Sequence, residues 1–416
     1  MLKHYLTAPC FLLIFCTMAT SLVAQESPVT SELGRQNVSY LYNLQSPLTA
    51  DTRVAKGQGE ATIFFKLNIR DINAEISNIS YRVQASYEDT DNAIEGNIGT
   101  TELIRENDRS QIYRFTIPVT ETTNYLFVFV DGSIRNQAIR LRFDTSLNTN
   151  LNFPFTDLLV MEADEDVPVF SNFLPRDANF RIVSLYNGLN KAFVYYYGHE
   201  FEPNPPPMAN SANQVQKSLE IDSIFPVELG NKLTFAKEGL YFTQTDTTSL
   251  SGIAFRIEQS YYPRFVTAEK LIQPIRYIST SDEMAALQND EDEKLAMDRY
   301  WIKATRSRDR AKEVIKKYYR QVTKSNILFS NYKEGWKTSQ GMVYLLYGAP
   351  DQVYRSTGKE TWIYNDDSNL MQDMLFNFVK VRNIFTNEHY NLVPSETYSK
   401  FWFRNIDLWR KGRKEI

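Results

Sequence analysis

Chemistry has few places to reside in this chain. After the first 24 residues the only histidines are His199 and His389, each beside a glutamate, Glu200 and Glu388. Neither has a second histidine at ligand spacing, and the paired-histidine helix of metalloproteases is missing. Asp164-Glu165-Asp166 and Asp366-Asp367 offer hard oxygens of the kind calcium takes, but neither run completes a calcium loop. They read as solvated turns. Glu360 with Asp366 or Asp367 supplies the residue types of a glycosidase pair, whose chemistry depends on a set carboxylate separation. No nucleophile-elbow serine and no phosphate loop occur. The expectation is therefore no catalytic residue, no metal and no cofactor.

Two other stretches concentrate information. In Gly335–Arg355 a Gly-Trp pair precedes Thr338, whose hydroxyl suits a helix N-cap. Six apolar residues follow, then Gly348, placed to end the helix in a left-handed conformation, and Pro350, which cannot continue it. Trp336 reads as a core anchor in preference to a stacking platform, because a buried indole removes a large apolar area from water. Upstream, Ala311, Val314, Ile315, Tyr318, Val322 and Phe329 recur at helical spacing as one apolar stripe. Arg308, Lys312, Lys316, Arg320 and Lys324 occupy the opposite face. That face is the candidate interaction surface. Its bland reading is a solvated face, or one paired with the acidic run Asp290–Glu293.

The elements that must position these residues follow from periodicity. A chain of 416 residues suggests several domains. With 26 Phe and 25 Tyr it leans toward strands. Residues 1–24 read as an export signal: Lys3, the apolar run Phe11–Phe15, then small Ser21 and Ala24 near the cut. The run is too short to span a bilayer. Cys10 and Cys16 both fall inside it, with lipid attachment at Cys16 as the rival to cleavage. A periplasmic location is expected, peripheral to the outer membrane. The net charge of −4 gives no sign of a nucleic-acid partner.

Residues 25–150 alternate with period two and read as a first antiparallel β-sandwich of about seven strands, Val38–Tyr42 among them. Asp131-Gly132 reads as the turn between the last two. Residues 151–278 read as a second sandwich, 279–330 as a helical connector opened by a capping box at Thr280 and Glu283, and 331–416 as a small α+β domain. The fold class is mainly β with a C-terminal α+β domain.

Several blocks in order resemble a known family. Asp298-Arg299-Tyr300-Trp301, Tyr318-Tyr319-Arg320, Gly335-Trp336-Lys337-Thr338 and Tyr347-Gly348-Ala349-Pro350-Asp351 are similar to GWxTD-domain proteins, exported proteins mainly of Bacteroidota. The likeness covers about the last third of the chain and implies sandwich material upstream. Ser339 stands where the signature carries Asp. A looser likeness joins the Thr-started helix and Trp-x-Tyr strand to the SmpA/OmlA type of barrel-assembly lipoprotein. Together these point to a non-enzymatic periplasmic scaffold or accessory subunit of an outer-membrane assembly or secretion complex, with an anionic surface as a further partner of the basic face. The alternatives are an envelope glycan-binding protein, on Tyr and Trp density, and a glycan hydrolase near Glu360–Asp367.

Overall fold

The computed structural model describes residues 31–89, 91–120, 123–147, 156–208, 219–248, 250–365 and 373–415. The expected leader, both cysteines, Asp366 and Asp367 lie outside them. The architecture is mainly β, with several antiparallel sheets and a C-terminal helical region.

A one-turn helix α1 (Glu32–Arg35) precedes eight strands: β1 (Leu48–Lys56), β2 (Glu60–Ile69), β3 (Ala74–Gln84), β4 (Ile94–Asn97), β5 (Leu103–Asn107), β6 (Ser110–Pro118), β7 (Tyr125–Ile134) and β8 (Gln137–Ser146). They form two antiparallel sheets, β1-β2-β6-β5 and β4-β3-β7-β8. Ile63, Phe65, Val83, Phe115, Leu126 and Val128 share the core these sheets enclose. On β6, Tyr113, Phe115 and Ile117 are buried while Arg114 and Thr116 are exposed. Such alternation is what a sheet with one wet face requires. β7 departs from it. Leu33 of α1 and Tyr87 cluster with Tyr125, Phe127 and Phe129, so Tyr125–Val130 is buried throughout.

The hairpin joining β7 to β8 corrects the sequence reading. Asp131 and Gly132 sit inside β7, and the chain turns at Arg135-Asn136, both left-handed with φ of 50° and 65°. Gly132 answers to a different demand. A Cβ there would come within 2.1 Å of the Glu75 carbonyl oxygen, beside the irregularity between Ile76 and Asn78 of β3.

A second β unit contains β9 (Leu158–Glu162), β10 (Phe173–Pro175), β11 (Asn179–Ser184), β12 (Lys191–Tyr197), β13 (Ser223–Glu228), β14 (Lys232–Thr234), β15 (Gly239–Gln244) and β16 (Ile253–Glu258). Its sheets are β10-β16-β15-β12-β13 and β14-β11-β9. Leu158, Ile182, Val194, Tyr241 and Phe255 belong to one core between them. β10 pairs with β16 in parallel, against the antiparallel pattern of the other pairs.

The chain then forms α2 (Ala268–Ile272), α3 (Ser281–Gln288), α4 (Glu293–Thr305), α5 (Arg308–Phe329), α6 (Ser339–Tyr347), β17 (Gln352–Ser356), β18 (Lys359–Tyr364), β19 (Met374–Lys380), β20 (Tyr390–Leu392) and α7 (Tyr398–Arg410). The capping box at Thr280 and Glu283 opens α3 as its spacing predicts. The four strands make one antiparallel sheet in sequence order. All five tryptophans, Trp301, Trp336, Trp362, Trp402 and Trp409, are buried in one core with Tyr318, Val322 and Phe376. Residues 279–330 are therefore no connector: α4 and α5 supply one wall of that core. Val38–Tyr42 is no strand either. Ser39–Tyr42 is a 3-10 turn, Val38 N donates to Val353 O at 2.9 Å, and the Tyr42 ring lies against Phe329 and Trp362. Buried there, the Tyr42 ring removes a large apolar area from water.

The shared core makes a direct prediction. Residues 331–416 expressed alone lack the α4–α5 wall and will show no cooperative thermal transition by circular dichroism. A sharp transition from that fragment would contradict the single-core description.

Candidate functional site

The signature stretch is held by contacts too close for a side chain. A Cβ at Gly335 would lie 2.0 Å from the Ser325 carbonyl oxygen, and one at Gly341 would lie 1.8 Å from the Gly335 carbonyl oxygen. The start of α6 thus rests directly on the last turns of α5. Asn326 Oδ1 accepts from Trp336 N at 3.2 Å, and Ser330 Oγ accepts from Gly335 N at 3.1 Å. Trp336 is fully buried, edge-on to Tyr277. Thr338 caps α6: its hydroxyl accepts from Gly341 N at 3.0 Å and donates to Gly335 O at 2.8 Å. Ser339, at the signature's acid position, is buried and accepts from Asn204 Nδ2 at 2.5 Å.

The other signature residues also pack. Trp301 meets Tyr318 edge-on at 5.6 Å, and Tyr318 donates to Pro274 O at 2.7 Å. Gly348 ends α6 with positive φ, 90°, but its ψ of −160° is extended and not the left-handed cap expected. Pro350 is buried after it. Asp351 is exposed and accepts from Asn365 N at 2.8 Å, closing the β17–β18 hairpin. Arg320, like Asp351, is exposed to solvent.

Around the motif lies a buried charged junction to the second β unit. Lys337 Nζ sits 2.9 Å from Glu334 Oε2, near enough for an ion pair though out of line for a hydrogen bond, and 3.2 Å from Glu200 Oε2. Lys270 bridges Glu200 and Glu334, and Arg256 on β16 pairs with Glu258 at 2.6 Å. Burial would raise the Glu334 carboxyl; Lys337, Arg256 and Lys270 overcome it and hold the group below the ordinary carboxylate range. Lys333 fares differently. Its amine donates to Asn204 Oδ1 at 2.7 Å and Glu202 O at 3.1 Å. Burial first, and Lys337 second, push it down to about 7. His389 lies beside the Tyr332 ring, and burial with Lys333 lowers it to about 4.

A second junction ties the first sandwich to the C-terminal sheet. Arg355 donates to Tyr42 Oη at 2.8 Å and to Glu360 Oε2 at 3.1 Å, and lies 3.6 Å from Asp144. Asp144 also accepts from Arg142 and Tyr87. Glu360 is buried and accepts from the Trp362 indole at 2.5 Å. A carboxylate so occupied cannot serve as the accessible half of a glycosidase pair, and the other acids of that pair fall outside the described residues. A cleft of about 260 Å³ opens here, with Tyr42, Asp144 and Arg355 in its wall.

The remaining sequence candidates separate. His199 lies near the Phe201 ring with its Nε2 buried and unpartnered. No group of three or more metal-ligating side chains occurs among the described residues. Glu165 pairs with Arg105, Asp166 with Arg181 at 3.0 Å, and Asp164 reaches Lys232 at 3.5 Å, so these acids are spent on cations. α5 does carry Arg308, Lys312, Lys316, Arg320 and Lys324 outward, with Lys324 half-buried. Among the described residues, Lys312 and Lys316 meet only Asp309 and Glu313 of their own helix. The acidic run instead serves α4: Asp290 pairs with Arg299, and Asp292 caps the helix.

Residues 239–411 match the family model of the GWxTD domain. This chain carries a GWxTD domain. No curated protein matches the chain. The match begins at β15, inside the second β unit, and not at residue 331. That boundary agrees with the charged junction, where Arg256 of β16, paired with Glu258, lies 3.9 Å from Glu334 beside the motif. Sequence reasoning missed this junction. In the sequence, Lys333 and Glu334 carry no assigned role, and Lys337 stands out only as a signature position. The available signal was their position flanking a tryptophan that had to be buried.

Two outcomes follow. Gly335→Ala, forced against the Ser325 carbonyl, will cost about 3 kcal/mol or more by chemical denaturation. Lys333 has a folded pKa below its unfolded value, so the unfolded chain binds the extra proton between about pH 7 and 10 and stability rises with pH there. Denaturation at pH 7 and pH 10 will show Lys333→Met losing that rise, on the order of 3 kcal/mol. An unchanged slope would contradict the buried amine.

Proposed function

We propose that this protein is an exported, non-enzymatic scaffold or accessory subunit of an envelope complex that assembles or secretes outer-membrane proteins. One observation carries the reading: the signature residues other than Arg320 are consumed by packing, capping and hairpin closure, and beside them the buried Glu334 is matched by Lys337. No open constellation of nucleophile, base and substrate pocket is left among the described residues. The leader-like residues 1–24 and the confinement of both cysteines to them support export to the periplasm.

The partner-facing element is α5. Among the described residues, Lys312 and Lys316 pair only with acids of their own helix, which favours an anionic partner surface. The Trp component of the glycan-binding alternative finds no support in the sandwiches, since every tryptophan is buried in the C-terminal core.

Purification of the tagged protein from detergent-solubilised envelopes will recover outer-membrane assembly or secretion subunits. Reversing charge at Lys312, Lys316, Arg320 and Lys324 together to Glu will reduce that recovery about tenfold without lowering Tm. Recovery of the protein alone, from wild type, would overturn the proposal.

A further inference from the structure

The outer face of the first sandwich carries a polar trough that the proposed scaffold role does not use. β4, β3, β7 and β8 lie side by side, so cross-strand partners form rungs on that face. One rung joins Glu95 to Arg82, paired at 2.6 Å. The next joins Asn97 to Ser80 and Phe129. The third joins Asn78 to Asp131 and Arg140, the last two 3.4 Å apart. The outer rungs are four residues apart along β3, roughly 13 Å at strand rise. Between them the floor is a serine and a nearly buried phenylalanine, and the space is about 320 Å³.

The chemistry of this trough is specific. Both guanidinium groups lie over Phe129, at 5.9 Å for Arg82 and 4.8 Å for Arg140, which fixes the two walls. Each wall presents donors and acceptors together as an Arg–carboxylate pair, and the charges cancel. Between the walls, the side chains of Asn78, Ser80 and Asn97 take no partner among the described residues. Neutral walls give no purchase to an anion or a cation. Alternating donors and acceptors suit a ligand whose every polar group both donates and accepts. Neighbouring sugar hydroxyls have that property, and a volume just above 300 Å³ is at the small end of ligand sites.

We propose that this trough binds a short neutral oligosaccharide, with Asn97, Ser80 and Asn78 contacting its hydroxyls between the Arg82–Glu95 and Asp131–Arg140 walls. The site is independent of α5 and of the GWxTD domain.

The test titrates the full chain with cellotetraose, chitotetraose, mannotetraose and isomaltotetraose, using saturation-transfer NMR and calorimetry, with heparin tetrasaccharide as the anionic comparison. At least one neutral sugar will bind at millimolar concentration or below. Ser80→Arg, which fills the floor, and Asn97→Ala, on the exposed edge strand, will each weaken it at least tenfold at unchanged Tm. The proposal is overturned by absence of binding to all four neutral sugars, by stronger binding of the anionic one, or by binding that Asn97→Ala leaves intact.

Discussion

At the signature, backbone rests on backbone. Gly335 sits under the Ser325 carbonyl and Gly341 under the Gly335 carbonyl, at separations no Cβ tolerates. That contact brings α6 down onto α5 and leaves Trp336 no exit except into the core. The side chains that complete it, Ser325, Asn326 and Ser330, are small and polar. They satisfy the backbone groups that a 3-10 turn entering a helix would otherwise bury unpaired. Thr338 adds the helix cap. Within the GWxTD signature, glycine grants proximity, tryptophan fills volume and threonine starts a helix.

Two buried ionic junctions then fix how the β units meet this core. Burying charge is costly unless each group is matched, and a matched set favours one geometry over its neighbours. Glu334, Lys337, Arg256 and Glu258 form such a set at the second β unit, with Lys270 and the exposed Glu200 at its edge; Arg355, Glu360, Asp144 and Arg142 form one at the first. Lys333 is the exception. It has a carbonyl and an amide as acceptors and no carboxylate, and its amine is correspondingly easy to deprotonate. Ser339 is linked to it through Asn204, where the family signature would place an acid.

Two kinds of surface among the described residues suit a partner. The outward side of α5 holds cations whose acidic neighbours lie on the same helix, which suits a flat or extended anionic partner. The outer face of the first sandwich holds charges already cancelled within the sheet, with uncommitted amides between them. The first favours long-range attraction and the second short-range hydrogen bonding, so a single partner is not required to use both.

Local regularities were legible in the sequence because their causes are local. The alternation of β6, the apolar stripe of α5, the capping box at Thr280 and the Thr338 cap each depend on residues within a few positions of one another. The family signature was legible for the same reason, as short ordered blocks. Tertiary structure alone decided the rest. Gly132 reads as a turn residue until Glu75 is seen against it, and Val38–Tyr42 reads as a strand until its tyrosine finds Phe329 and Trp362. Residues 279–330 read as a connector because an amphipathic helix does not declare which core its stripe enters. The charged junctions were least visible of all, since a lysine matched by a glutamate more than a hundred residues away has the same sequence neighbours as one in water.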